Sequence, residues 1–247
     1  MNFGFSGSRA LILGGSCELA ITLAASMIEI SIYPILTYRN DVGLASIRRA
    51  LQNCEGKYDS YYLDFGNRET LTSLFSHIGN DLDFLVDFVQ GDYESLIAQA
   101  DEDSVYRYFS ENISFRAEIL KIAGRVMVKK KRGRLVFISS TAAQRPNPGQ
   151  GFYAAAKLAS EALYRNMGLE LGGRGVTTAI LRPGYIEAGR GKMYLQEQEK
   201  KILEKVPIKR ILTKREIADT ILFLLSNSAA AINAADITID GGLTYRK

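Results

Sequence analysis

The stretch LILGGSCELAITLAASMI, Leu11 to Ile28, sets the reading of the whole chain. A short apolar run meets a Gly-Gly-Ser turn, and an amphipathic, alanine-rich segment follows. That order predicts a buried strand, a tight turn and a helix that starts over the strand's end. A helix N-terminus in that place offers unpaired N–H groups and positive potential, which suit a phosphate. Gly14 stands where the turn needs its first glycine. Where a three-glycine cradle would place two more, the chain carries Glu18 and Ala20.

Outward from this stretch the same alternation continues. Strands are expected at Arg9–Leu13, Tyr33–Tyr38, Tyr58–Leu63, Phe84–Asp87, Arg134–Ser139, Thr177–Arg182 and Asp236–Ile239. Helices are expected at Glu18–Ile30, Val42–Asn53, Arg68–Ile78, Ser104–Lys130, Tyr153–Leu171 and Arg215–Leu225. Strands spaced by helices imply parallel pairing through right-handed crossovers. The expectation is an α/β fold: one doubly wound Rossmann-type domain over residues 1–247, with a seven-stranded parallel sheet and helices on both faces. Its ligand crevice should lie at the carboxyl ends of the strands. Residues 187–211 break the rhythm with a long charged excursion, which reads as a lid or substrate loop.

Bulk composition narrows the function. The chain has 247 residues, of which 47% are hydrophobic and 23% charged, enough for one domain with a substantial core. A net charge of +4 is too small to argue for nucleic acid. Cys17 and Cys54 sit at no metal-like spacing, so neither a metal site nor a disulfide framework is expected. MNFGFSGSR carries no signal-peptide pattern, and no apolar run is long enough to cross a membrane, so the expected location is cytoplasmic. The single histidine, His77, reads as a solvated side chain.

The strongest chemical signal is ISSTAAQRPNPGQGFYAAAKLASEALYRNMG, Ile138 to Gly168. Ser140 ends a buried strand, a Pro/Gly-rich loop follows, and Tyr153 and Lys157 open a helical run. Tyr and Lys four residues apart project from one helix face. An ammonium beside a phenol favours the phenolate and lowers its pKa from about 10, at ~1.4 kcal/mol per unit. That fits a tyrosine for proton transfer near neutral pH. Ser140 could then hydrogen-bond a substrate oxygen as negative charge develops there.

With these residues in place, the chain resembles the short-chain dehydrogenases/reductases from end to end, and most closely the 3-oxoacyl-[acyl-carrier-protein] reductases. SENISF sets Asn112 where that family keeps a fourth catalytic residue. LRPGYIEA, Leu181 to Ala188, matches the Pro-Gly turn beside the nicotinamide, and YYLDF sets Asp64 at the adenine. The resemblance implies catalytic roles for Asn112, Ser140, Tyr153 and Lys157, with Asn112 supporting a water relay. It implies a nicotinamide dinucleotide held by Gly14, Ser16, Cys17, Leu19, Arg39, Asp64, Phe65 and Val89, together with Tyr153, Lys157, Pro183, Gly184 and Ile186.

Three positions depart from the family pattern. They are the Glu18/Ala20 pair, Asp87-Phe88-Val89-Gln90 in place of an Asn-Asn-Ala-Gly run, and Ala188 in place of a threonine. In ILTYRND, Thr37 stands where an acid would hold a ribose hydroxyl, and Arg39 follows. NADPH is therefore expected over NADH, with Asp41 as the alternative partner of Arg39. Basic Lys131 and Arg174 match the positions that dock an acyl carrier protein. The helix Tyr153–Leu171 carries small and apolar residues around much of its circumference and must be buried somewhere. Since the resembled family buries this helix and the Asn112 helix against partner subunits, the resemblance implies a homotetramer or homodimer, or a mixed oligomer with a related subunit. The expected activity is NADPH-dependent reduction of a 3-oxoacyl thioester in fatty-acid or polyketide-type synthesis. Two alternatives are a non-catalytic assembly subunit and an enzyme for another ketone/alcohol pair.

Overall fold

In a computed structural model, residues 3–189 and 200–245 are described. Each strand is short and apolar on both sides, as a sheet covered by helices requires. β1 (Arg9–Leu13), β2 (Tyr33–Tyr38), β3 (Asp59–Tyr62), β4 (Phe84–Asp87), β5 (Gly133–Ile138), β6 (Val176–Pro183) and β7 (Ala235–Ile239) form one sheet. Its order is β3-β2-β1-β4-β5-β6-β7, and every pairing is parallel. The expected seven-stranded, doubly wound domain is what the chain forms.

The register fixes the site. Leu13 pairs with Asp87, Asp87 with Phe137, and Ile138 with Leu181, so the carboxyl ends of β1, β4, β5 and β6 form one row. The strand order reverses between β1 and β4, and that reversal opens the crevice.

Helices cover both faces. α1 (Glu18–Glu29), α2 (Asp41–Ala50) and α7 (Lys214–Leu225) pack Leu19, Leu23, Ile47 and Ile221 on one side. On the other, α3 (Arg68–Ile78), α5 (Phe115–Lys130) and α6 (Gly151–Leu171) pack Leu74, Ile119, Tyr164 and Met167.

The middle helix differs from expectation. It begins as α4 (Glu102–Phe109), widens into a π-helical turn at Ser110–Ser114, and continues as α5. Such turns recur at functional sites, and this one contains Asn112. α2 stops at Ala50, and a 3-10 turn at Gln52–Cys54 replaces its last expected residues. Other element ends shift by one or two residues, as ends commonly do.

Around the expected lid, Ile186 pairs with Leu212 in an isolated bridge. Residues 200–205 are helical, and Ile202 and Val206 pack against Tyr185, Ile211 and Leu243. The rest of that excursion, residues 190–199, lies outside the described residues. No helix among the described residues is long and apolar enough to cross a membrane.

Candidate functional site

Ser140 directly follows the crest of β5 and caps a 3-10 turn at Thr141–Ala143, its Oγ accepting from Ala142 N at 3.1 Å. The Pro/Gly-rich loop returns the chain to α6, where Tyr153 and Lys157 stand one turn apart. Lys157 is buried. Its Nζ donates to the Ile138 carbonyl at 2.7 Å and lies 4.7 Å from the Phe137 ring and 5.9 Å from the Tyr153 ring. The lysine is thus seated on Ile138, the last residue of β5 and two residues before Ser140, with its charge beside the tyrosine.

Asn112 is also buried. Its Oδ1 accepts from Gly91 N at 2.8 Å and its Nδ2 donates to the Tyr108 carbonyl at 2.8 Å. Its own carbonyl accepts from the Arg116 guanidinium, and from Ser160 Oγ at 3.4 Å. The Asn112 carbonyl therefore meets side chains where the resemblance implied a relay water.

Two buried ionic clusters frame these residues. In the first, Arg116 Nε donates to Asp87 Oδ2 at 2.7 Å, and Tyr164 Oη donates to the same oxygen at 3.0 Å. Burial, with Asp87 alongside, pushes the Tyr164 phenol well above its ordinary value. In the second, Glu161 accepts from Ser139 Oγ at 2.6 Å and from Arg182 Nε at 2.7 Å. Arg182 also reaches Asp236 at 2.8 Å. Hydrogen bonding to Glu161 holds Arg182 above the usual arginine value. Glu161 thereby ties together the residues just before Ser140 and just before Pro183.

The glycine turn keeps its form with one of three glycines. Gly14 takes φ +70°, and a Cβ there would lie 3.1 Å from Val89 Cγ2. Only glycine combines that conformation with that approach. Gly14 N donates to Thr37 Oγ1 at 3.0 Å, so Thr37 braces the turn. Cys17 caps α1 through Sγ, and Leu19 is buried beneath it. Ser16 rests against Gly43, where a Cβ would meet it at 3.0 Å. Glu18 Oε2 lies 2.8 Å from Lys214 Nζ, at the first turn of α7. The carboxylate that replaces a cradle glycine thus has a cation beside it.

Arg39 is exposed just past β2. No ion pair joins it to Asp41 among the described residues, so the alternative partner considered for it is not engaged. Asp41 instead opens α2, where an acid suits the helix dipole. Asp64 Oδ1 accepts from Gly66 N at 2.9 Å, and Phe65 packs on Phe115 at 4.8 Å. Gly184 N donates to Ile239 O at 2.9 Å, and a Cβ at Gly184 would lie 2.8 Å from Asp240 Cβ. Pro183 and Ile186 flank that close passage.

Lys131 and Arg174 lie together, in abutting turns where Gly133 N donates to Gly175 O at 3.1 Å. Both turns precede strands, so the pair occupies the sheet edge opposite Ser140, across six-residue β5 or about 20 Å. His77 is not simply solvated: its Nε2 lies 3.1 Å from Asp59 Oδ2 and its ring is 4.2 Å from that of Tyr61. Among the described residues, no cluster of three or more His, Cys, Asp or Glu could hold a metal.

Sequence reading missed Arg116, Glu161, Arg182 and Lys214. A signal existed for the first: Arg116 shares the buried stripe of Asn112, Ile119 and Ala123 at helical spacing. An arginine there needs an acid, and Asp87 at a strand end is one.

Comparison with known proteins agrees with this geometry. A family model described as Enoyl-(Acyl carrier protein) reductase matches residues 19–244. The 3-oxoacyl-[acyl-carrier-protein] reductase of Haemophilus influenzae is 27% identical over 240 residues, covering 96% of this chain and 98% of that protein. The reductase of the same name from Buchnera aphidicola subsp. Baizongia pistaciae is 32% identical over 185 residues, 75% of this chain and 70% of that one. A short-chain dehydrogenase/reductase structure from Mycobacterium ulcerans superposes with a TM-score of 0.89 at 25% identity, covering 99% and 92% of the two chains.

Proposed function

From the premise that this chain belongs to the short-chain dehydrogenase/reductase family, and is a short-chain NAD(P)-dependent oxidoreductase resembling 3-oxoacyl-[acyl-carrier-protein] reductases, we propose that it reduces a 3-oxoacyl thioester with NADPH. The observation that carries this reading is the seating of Lys157 on the Ile138 carbonyl, beside Tyr153 and two residues before Ser140.

When bound, the reduced nicotinamide supplies the hydride that adds to the carbonyl carbon. Tyr153 gives its hydroxyl proton to the carbonyl oxygen. The Lys157 ammonium stabilises the negative charge left on the tyrosine. Ser140 donates a hydrogen bond to the same substrate oxygen as charge grows on it. The carbonyl, having taken up a hydride at carbon and the Tyr153 proton at oxygen, becomes the alcohol.

The residues present fit a dinucleotide. Gly14 keeps the turn, Val89 closes on it, and the start of α1 faces the crevice. The Glu18 carboxylate, which would otherwise repel a pyrophosphate, is paired with Lys214. Arg39 supports NADPH over NADH, because a guanidinium at the end of β2 can pair a 2′-phosphate.

A carrier-bound substrate agrees with the names of the relatives and with the basic pair Lys131 and Arg174. That pair lies across the sheet from Ser140, so a carrier docked there would serve the mouth of an adjoining copy. Exposed Leu158 and Leu169 on α6, and Tyr106 on α4, support a homo-oligomer.

The test is turnover of a 3-oxoacyl thioester by the purified protein with NADPH or NADH, with a 2-enoyl thioester in parallel. Ketone reduction with NADPH preferred is expected. Reduction of the 2-enoyl thioester alone would replace this reading with enoyl reduction. Binding of neither nucleotide by the folded protein would move it to an assembly subunit.

A further inference from the structure

We propose that the buried Arg116–Asp87 ion pair positions the catalytic centre by locking the π-helical turn of Asn112 to the crest of β4 and to α6. Arg116 is then a positioning residue, and the Asn112 carbonyl is a fixed anchor rather than an open acceptor. The inference rests on the ketoreductase reading above.

Arg116 and Asp87 are both 0% exposed. A charge pair that deep persists only with good geometry and further hydrogen bonds, and this one has them. Nε of Arg116 donates to Asp87 Oδ2, Nη1 to the Asn112 carbonyl and to Ser160 Oγ at 2.8 Å, and Nη2 to the Val89 carbonyl. One planar fork thus grips three elements: the end of β4, the π-helical turn, and α6 one turn beyond Lys157. A lysine, with a single nitrogen, cannot reproduce that spread.

Asp87 completes the lock. Its Oδ1 accepts from Val89 N at 2.9 Å, and its Oδ2 from Tyr164. The Tyr164 ring stacks on Phe137 at 5.0 Å, and Phe137 lies against both the Arg116 and the Lys157 cations. The pair is therefore linked, through Ser160 and Tyr164, to one face of the Tyr153–Lys157 helix and to the strand that leads into Ser140. The Asn112 carbonyl thus accepts from a fixed guanidinium, and Ser160, whose hydroxyl donates to the Ala156 carbonyl at 2.8 Å, receives the same Arg116 nitrogen.

The experiment separates stability from positioning with Arg116→Met, Arg116→Lys and the double variant Arg116→Met/Asp87→Leu. Three readouts are taken: thermal stability, amide exchange at Gly91, whose N–H reports on Asn112 Oδ1, and ketone turnover. Arg116→Met should be strongly destabilised, because it leaves Asp87 unpaired. The double variant should recover most of the stability. Its Gly91 exchange should stay about tenfold faster than in the unaltered protein. Its kcat should stay about 100-fold lower.

A double variant that regains stability, exchange protection and kcat together would make the pair purely structural and overturn the proposal. Should the double variant fail to fold, Arg116→Lys decides by the same readouts: normal exchange and kcat would overturn the proposal, and fast exchange with low kcat would support it. If the unaltered protein reduces no ketone, the ketoreductase reading fails, and Gly91 exchange alone still decides this inference.

Discussion

The β4–α5–α6 region and the β1–α1–β2 region each carry an acid where the family pattern has none, and they accommodate it at different depths. Asp87 is 0% exposed and faces an equally buried arginine. Glu18 is 49% exposed and faces a lysine that is 37% exposed. The first pair is surrounded by hydrogen bonds to the catalytic elements. The second sits on the rim of the crevice in reach of water and salt. The comparison teaches that one kind of sequence departure is absorbed in two ways: by rebuilding a core, or by screening a surface. Breaking a buried pair by removing one partner costs about 3–5 kcal/mol, whereas an exposed pair contributes about 0–1 kcal/mol.

The largest effects should therefore fall in the catalytic half. Tyr153→Phe removes the proton donor and should lower kcat by about 10³-fold while leaving assembly intact. Activity that survives this change would detach the chemistry from α6. Glu161→Leu leaves Arg182 without its main partner, although Asp236 remains, and frees Ser139. It should destabilise the fold by about 3 kcal/mol in denaturant melts. A cost below ~1 kcal/mol would show that the half-exposed Asp236 suffices and that this cluster belongs with the surface pairs.

Effects in the nucleotide half should be smaller and sensitive to salt. Arg39→Ala should weaken NADPH about tenfold by fluorescence titration and leave NADH nearly unchanged. Equal losses for both nucleotides would remove Arg39 from the 2′-phosphate. Lys214→Ala should weaken either nucleotide a few-fold at low ionic strength, because Glu18 then faces the pyrophosphate without its counterion. The difference should shrink at high salt. A loss that ignores salt would mean that Lys214 acts by packing.

Much of this was legible in the sequence, for reasons that differ by region. The parallel, doubly wound sheet followed from alternating apolar runs, and Tyr153 and Lys157 from local helical spacing. Arg116 and Asp87 are 29 residues apart, and only the β4–α5 packing joins them. Glu18 and Lys214 are 196 residues apart and meet only because α1 packs on α7. Glu18 and Asp87 read alone were departures from the family pattern, and Arg116 and Lys214 drew no reading, because a local pattern does not report a distant counterion. The π-helical turn was hidden for a related reason: its helical periodicity is nearly continuous, and the widening is set by what Asn112 and Arg116 bind.

A third ion pair sharpens the contrast through pH. Glu216 closes the capping box of α7 with Thr213 and takes a two-pronged contact from Arg210, at 2.6 and 2.8 Å. Hydrogen bonding to Arg210 and then to the Thr213 backbone pushes the Glu216 carboxyl down to about 2. A carboxylate whose folded value is depressed stabilises the fold above its unfolded value, about 4.3, and loses that contribution as pH falls toward 2. Both partners are exposed, so screening limits the ion pair and the cap supplies most of the effect, about 1 kcal/mol or ~2–4 °C in melting temperature. Thermal melts of Glu216→Gln and the unaltered chain should differ most at pH 7 and converge as pH falls from about 4.3 toward 2. A gap that stays constant over that range would assign the stabilisation to neutral capping hydrogen bonds.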